Sequence, residues 1–185
     1  QFFDGLAKHS VQLGYRELLE RSRTLAAHLT RHLGLRKGAH IGLLAETGPD
    51  FIVHFCACQM AGLVPCPLPL PGTLQGRERY EQTLKAMIDA AGIRLLAGPQ
   101  KLLSQLQLQD GQAEQWFYEN ASVDDPEDAT EWHMPEPEEI AYVQFSSGST
   151  ADPKGMAISH RALMANVDDI LRHGMRLEES DRALS

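Results

Sequence analysis

The chain has no apolar run long enough to cross a bilayer, few cysteines and a shortage of positive charge. Glu46, Asp50 and His54 interrupt its best apolar stretch, whereas a spanning helix needs about 20 consecutive apolar residues. No membrane span is therefore expected. With 17 Lys and Arg against 25 Asp and Glu, the formal net charge is -8. A nucleic-acid partner, which demands a basic face to replace counterions, is excluded on that ground. Cys56, Cys58 and Cys66 are an odd number and form no disulfide framework. A reduced compartment is implied, and a cytoplasmic location is expected. Cys56 and Cys58, two apart on a helix, point to different faces and have no matching Cys or His pair, so they read as small buried side chains rather than metal ligands. The eight histidines show no metalloprotease spacing. No signal peptide is expected, and Gln1 in place of Met suggests an engineered piece or an excerpt.

Periodicity then organises the chain as one domain or at most two small ones. Leu18, Leu25, Leu29 and Leu33, with Ala26 beside them, recur at helical spacing over 15–33, and Gly34 ends that helix. His40 to Ala45 reads as a strand, and Pro49 to Ala61 as a mostly buried helix stopped by Gly62. Val64 to Leu70 is punctuated by proline, which restricts it to a strand end or an edge. Arg77 to Ala91 is an amphipathic helix with Leu84, Met87, Ile88 and Ala91 on one face, and Ile93 to Ala97 follows as a strand. Lys101 to Gln109 is expected to be helical and Gln115 to Tyr118 a further strand. The alternation of strands and helices predicts an α/β fold, a mostly parallel sheet flanked by helices.

From Glu119 to Glu139 the chain turns acidic, with Asp124, Asp125, Glu127, Asp128, Glu131, Glu136, Glu138 and Glu139. That stretch reads as a solvated connection pinned to the body by Trp132. It lacks the spacing of a calcium-binding loop. There is no internal repeat and no low-complexity tract.

The most informative segment is Ser146 to Gly155, Ser-Ser-Gly-Ser-Thr-Ala-Asp-Pro-Lys-Gly. The alternating run Ile140 to Phe145 precedes it and Met156 to Ile158 follows it, so the loop is expected to hang between two strands. A polyphosphate is neutralised by backbone N–H groups in a concave turn, by hydroxyl donors and by a point-charge lysine. This decapeptide has all three. Gly148 permits close backbone approach, Ser146, Ser147, Ser149 and Thr150 are donors, Pro153 stiffens the turn before Lys154, and Gly155 frees the exit. The loop of the strand-loop-helix nucleoside triphosphatases is a different object, because there Ser or Thr and a helix follow the lysine. Composition alone would also allow an ordinary turn-rich hairpin.

The order of residues decides between them. Ser-Gly-Ser-Thr-x-x-Pro-Lys-Gly closely resembles the phosphate loop of the adenylate-forming superfamily, which contains acyl-CoA synthetases, fatty acyl-AMP ligases, luciferases and peptide-synthetase adenylation domains. Leu13 to Leu19 resembles the opening helix motif of adenylating domains. Cys58 to Pro69 resembles the Ala-Gly-x-x-Pro segment in its fatty acyl-AMP ligase form, and Gln144 to Thr150 and Ile158 to His160 continue the likeness. Ala151 stands where the superfamily most often has glycine, a departure that shifts the resemblance toward the fatty acyl-AMP ligases. A scaffold domain that kept the fold and lost the reaction has Ala151 as its only support, and the intact Thr150 and Lys154 oppose it.

The resemblance implies ATP and Mg²⁺ as cofactors, a fatty acid as substrate and an acyl carrier protein, or CoA, as acceptor. It implies that Ser146, Ser147, Ser149, Thr150 and Lys154 hold ATP phosphates, with Gly148 and Gly155 shaping the loop. An acyl-CoA synthetase or an amino-acid adenylation domain is the alternative. The family's adenine, ribose, metal and catalytic-lysine positions are not found in residues 1–185, so no catalytic residue is assigned and the piece is expected to be inactive alone. After the loop, Ser159 is expected to cap a helix over 160–173 that turns Leu163, Val167, Ile170 and Leu171 inward, with Asn166 and Asp168 or Asp169 on the solvated side, His160 as a polar first-turn residue beside the cap and Gly174 as its stop. Asp152 would repel phosphate and is expected to face solvent. Asp181 to Ser185 reads as the entrance to another strand. Residues 1–185 are thus expected to be the N-terminal part of an adenylation domain, with the acidic connection at 119–139 and the phosphate loop at 146–155.

Overall fold

A computed structural model describes residues 2–3, 10–72, 76–108, 111–121, 132–146 and 153–175. Two short strands, β1 (Phe2–Phe3) and β2 (Ser10–Val11), pair antiparallel ahead of α1 (Tyr15–Arg31). The helix stops at Arg31, two residues before the last apolar position of its stripe, and Gly34 follows with φ 63, a left-handed conformation that glycine adopts without Cβ strain. Then come β3 (His40–Leu44), α2 (Pro49–Met60), β4 (Val64–Leu68), α3 (Arg77–Ala91) and β5 (Leu95–Gly98). The four-residue α4 (Gln100–Leu103) leads to β6 (Glu114–Phe117).

The strands β4, β3, β5 and β6 lie in that order in one parallel sheet. Its faces are built by the period of two along each strand. Ile41, Leu43, Leu95 and Ala97 pack with Leu25, Leu29, Val53 and Ala57 of α1 and α2. Leu44, Val64, Cys66, Leu68 and Leu96 pack with Tyr80, Leu84, Met87 and Ile88 of α3. Helices therefore cover both faces, as the alternation of elements predicts. Gly42 sits at the centre, where a Cβ would meet Leu68 Cδ1 at 2.8 Å and Leu96 Cδ1 at 3.0 Å.

Strand β4 is the sheet edge, and its prolines show why. Val64 donates its N–H to the Ala39 carbonyl, so Val64, Cys66 and Leu68 face β3 with their N–H groups while Pro65 and Pro67 occupy the alternate positions. The two residues without a donor are the two that β3 does not need.

Two expectations are corrected here, and a third is refined. Helix α4 is one turn rather than the nine residues Lys101 to Gln109: Ser104 back-bonds to the Gln100 carbonyl, and the Arg77 guanidinium takes the Gln105 carbonyl, drawing the chain out of the helix. The described ends of the acidic stretch 119–139 are largely exposed yet tied to the body. Tyr118–Ala121 is a 3₁₀ turn whose Tyr118 is buried, and 132–139 is bonded to the body, with 122–131 outside the described residues. Finally, α5 (His160–Asp169) ends in a π-helical turn, Ile170–Met175, that runs past Gly174, and Val167, Ile170 and Leu171 are 37%, 45% and 43% exposed. The stripe exists at the expected spacing, but no described element covers it.

Candidate functional site

The loop is presented by a hairpin, β7 (Ile140–Phe145) and β8 (Gly155–Ser159), paired antiparallel with Phe145 opposite Gly155 and Val143 opposite Ala157. The Ser146 N–H donates to the Lys154 carbonyl at 3.2 Å and closes the neck, so the first and ninth residues of the decapeptide are held face to face. Both side chains are exposed. Gly155 has a reason other than the chain freedom expected of it. Its backbone is not left-handed, but a Cβ there would stand 2.9 Å from Val143 Cγ1 and 3.3 Å from Phe145 Cε1. A side chain at 155 would therefore push the strands apart below the neck. Ser147, Gly148, Ser149 and Thr150, with Ala151 and Asp152, lie outside the described residues.

The direction of β7 fixes which end of the molecule carries the loop. Glu139, just before β7, pairs with Lys37, just before β3, at 2.7 Å, and the Gln59 amide donates to the Ala141 carbonyl. Strand β7 thus starts at the amino end of the sheet, beside β4, and Val143 and Phe145 enter the core shared with Leu68 and Tyr80. The loop emerges at the carboxyl ends of the parallel strands, where open α/β sheets bind their ligands.

Other anion-binding positions at that end are taken by the chain itself. The Glu119 carboxylate accepts the Gln100 N–H at the start of α4, at 3.0 and 3.2 Å. Tyr118 donates its hydroxyl to the Leu44 carbonyl at 2.8 Å, over the crevice between β3 and β5 where the strand order reverses. At the opposite, amino end of the sheet, where Ser159 pairs with Ile140, the N-terminus of α5 is filled as well. Ser159 Oγ accepts the Ala162 N–H at 3.2 Å, as expected of an N-cap, and the Glu139 and Pro137 carbonyls accept the N–H groups of His160 and Arg161 at 3.0 and 2.8 Å. His160 is thereby positioned through its backbone.

Glu139 is the residue sequence reasoning missed. Its carboxylate accepts from Lys37 and, at 2.6 Å, from His133 Nε2, and the Lys37 and His133 bonds hold its carboxyl well below the usual carboxylate range, at about 2. His133 also donates its N–H to the Met60 carbonyl at 2.9 Å and lies over Gly62, where a Cβ would meet its ring at 2.9 Å. Trp132 stacks under the Arg23 guanidinium at 5.2 Å, so it does pin the segment to the body. Together these contacts fasten the root of the hairpin to α1, α2 and β3. Lys37 and Glu139 are 102 positions apart, and no local signal joins them.

On the far face of the sheet, His54 is buried between α2 and the β6 end. Its Nδ1–H donates to the Asp50 carbonyl at 2.8 Å and its Nε2 accepts the Trp116 indole N–H at 3.2 Å, which fixes one neutral tautomer. Desolvation outweighs the Asp50 contributions and pushes the imidazole down to about 4. Burial raises all three thiols, Cys66 to about 12, as fits small core side chains. Among the described residues no three His, Cys, Asp or Glu side chains come together as a metal site, and no helix is long and apolar enough to cross a membrane.

A parallel sheet covered on both faces, with a hydroxyl- and glycine-rich loop on an adjoining hairpin at its carboxyl end, defines an α/β domain of the adenylate-forming kind. The model of the AMP-binding enzyme family matches residues 3–185, and the chain belongs to that family. It is 39% identical over 178 residues to the "Putative acyl-CoA synthetase" of Caulobacter vibrioides, covering 94% of this chain and 30% of that protein. A solved structure from studies of fatty acyl-adenylate ligases of E. coli and L. pneumophila superposes with a TM-score of 0.87 at 31% identity, covering 98% of this chain and 33% of that one. A medium-chain-fatty-acid–[acyl-carrier-protein] ligase of Moorena producens is 27% identical over 88% of this chain and 28% of its own. The chain spans about a third of the length of these relatives.

Proposed function

We propose that residues 1–185 are the N-terminal, phosphate-binding part of an ATP-dependent ligase that activates a fatty acid as its acyl-adenylate and passes the acyl group to a carrier protein. The observation that carries this reading is the Ser146–Lys154 neck, which holds the ends of a Ser-Gly-Ser-Thr-x-x-Pro-Lys-Gly loop at the ligand-binding end of the sheet. Its likeness to the E. coli and L. pneumophila fatty acyl-adenylate ligases supports the fatty-acid assignment.

In this reading a carboxylate oxygen of the acid attacks the α-phosphorus of ATP, and the bond to pyrophosphate breaks. Ser146, Ser147, Ser149 and Thr150 donate to phosphate oxygens, Lys154 adds a mobile positive charge, and Gly148 lets the backbone close on the ligand. The exposed lysine opposite Ser146 fits a polyphosphate in its donor chemistry. Mg²⁺, arriving on the nucleotide, supplies charge neutralisation. The chain's own contribution is to bind and orient the phosphates, and it assigns no catalytic group, so residues 1–185 alone are inactive. Turnover by a clean preparation of them would contradict that.

The test is fatty-acid-dependent ATP–pyrophosphate exchange on the full-length protein, followed by a chase with CoA or a phosphopantetheinyl carrier protein. Exchange with transfer only to the carrier supports the acyl-AMP ligase, and Lys154→Ala should weaken exchange by about tenfold or more through loss of a charge-assisted contact. Transfer to CoA supports the second reading, an acyl-CoA synthetase, favoured by the Caulobacter vibrioides relative. Absence of exchange in a folded protein rejects both.

A further inference from the structure

At the amino ends of the strands, on the order of 20 Å from the loop at ~3.3 Å per residue of β7, a cavity of about 60 Å³ opens between α1, the end of α2 and the segment at 132–133. Arg23, Ala26, Thr30, Met60, Trp132 and His133 line it. Arg23 Nε is buried there with no hydrogen-bond partner among the described residues, although the guanidinium lies over the Trp132 ring. A guanidinium is always charged and only donates, so a buried, unanswered N–H asks for an acceptor. Among the described residues no carboxylate lines the cavity. Glu139, behind His133, is already held by Lys37 and by the His133 ring. Thr30 directs its proton to the carbonyls of Ala26 and Ala27, at 3.0 and 3.1 Å, and so contributes no donor.

We propose that this cavity is a binding site for a small monocarboxylate, with its oxygens on Arg23 and its short chain against Trp132, Met60 and Ala26. Three observations converge on that class. A fixed guanidinium whose buried Nε–H meets no acceptor among the described residues suits a planar carboxylate, which takes two parallel N–H donors from one edge of the fork. The volume holds about four or five non-hydrogen atoms, at roughly 10–15 Å³ of such space for a single water. Ala26, Met60, Ala61 and the Trp132 ring give the cavity an apolar side, beside Thr30 and His133. The site is separate from the phosphate loop and does not rest on the adenylation reading.

The experiment follows the indole N–H resonances of ¹⁵N-labelled full-length protein, with Trp132 assigned through Trp132→Phe. Sodium propionate is titrated at constant ionic strength against chloride, with ethylammonium as the cationic control. The Trp132 resonance should move along a saturating curve with propionate, and with neither chloride nor ethylammonium. Arg23→Gln should weaken that response at least about tenfold, and Lys154→Ala should leave it unchanged. The Trp116 resonance, whose N–H donates to His54, should stay in place in both variants and reports an intact fold. Linear drift, a response to chloride alone, or an unaltered titration in Arg23→Gln overturns the proposal. Should Arg23→Gln displace Trp116, the unsubstituted protein's selectivity between propionate and chloride decides alone.

Discussion

Replacing His54 by glutamine should remove a specific part of the protein's sensitivity to acid. In the folded chain His54 stays neutral down to about pH 4, because it is buried and its Nε2 must accept from Trp116. In the unfolded chain it takes a proton near its ordinary value of about 6.5. Between those values the unfolded state holds the extra proton, so stability falls as pH falls from about 6.5 to 4 and is fully present above that window. At pH 5 the gap is about 1.5 pH units, which at about 1.36 kcal/mol per unit makes roughly 2 kcal/mol lost relative to pH 8. His54→Gln has its own cost at every pH, but it has no such proton to gain. Urea unfolding followed by Trp116 fluorescence at pH 8 and pH 5 measures both proteins. The unsubstituted protein should lose about 2 kcal/mol more than the variant between the two conditions. Equal losses would mean that His54 is not held neutral by burial, and the reading of the Asp50–His54–Trp116 chain would fall.

Gly42→Ala should cost about 1–3 kcal/mol by overpacking, because the added Cβ meets Leu68 and Leu96 at 2.8 and 3.0 Å in the middle of the sheet; a urea midpoint like that of the unsubstituted protein would show that the core yields. Tyr118→Phe should lose about 1–2 kcal/mol by leaving the Leu44 carbonyl without its donor, measured in the same way. Glu139 titrates at about 2 in the folded chain, below its ordinary value, so its contribution is present above about pH 4.5 and is lost as pH falls toward 2. Glu139→Gln should therefore flatten that part of the acid-unfolding curve, and an unchanged curve would show that the bonds to Lys37 and His133 do not fasten the hairpin.

Local chemistry was legible in residue order. The period of 3.6 in Leu18, Leu25 and Leu29 and in Leu84, Met87 and Ile88 marked α1 and α3, the prolines at 65 and 67 marked an edge strand, and the order Ser-Gly-Ser-Thr-x-x-Pro-Lys-Gly marked the loop and the family. Each of these signals is carried by neighbours in the chain, where backbone geometry alone decides which residues share a face. Lys101 to Gln109 misled because apolar spacing says nothing of a guanidinium arriving from Arg77 to take the Gln105 carbonyl. Leu163, Val167, Ile170 and Leu171 form a real stripe, yet whether a stripe is buried depends on what lies against it.

By itself, then, the sequence determined most of the elements, the alternation that makes a parallel sheet, and the order Ser-Gly-Ser-Thr-x-x-Pro-Lys-Gly that points to the family. Only the tertiary structure decided the strand order β4-β3-β5-β6, the end of the sheet at which the loop emerges, and the fastening of its hairpin through Lys37, His133 and Glu139. It alone placed Arg23 Nε in a cavity and His54 against Trp116. The physical reason is separation along the chain: Lys37 and Glu139 stand 102 positions apart and His54 and Trp116 62, and nothing in the order of residues records a contact that forms only when the layers close.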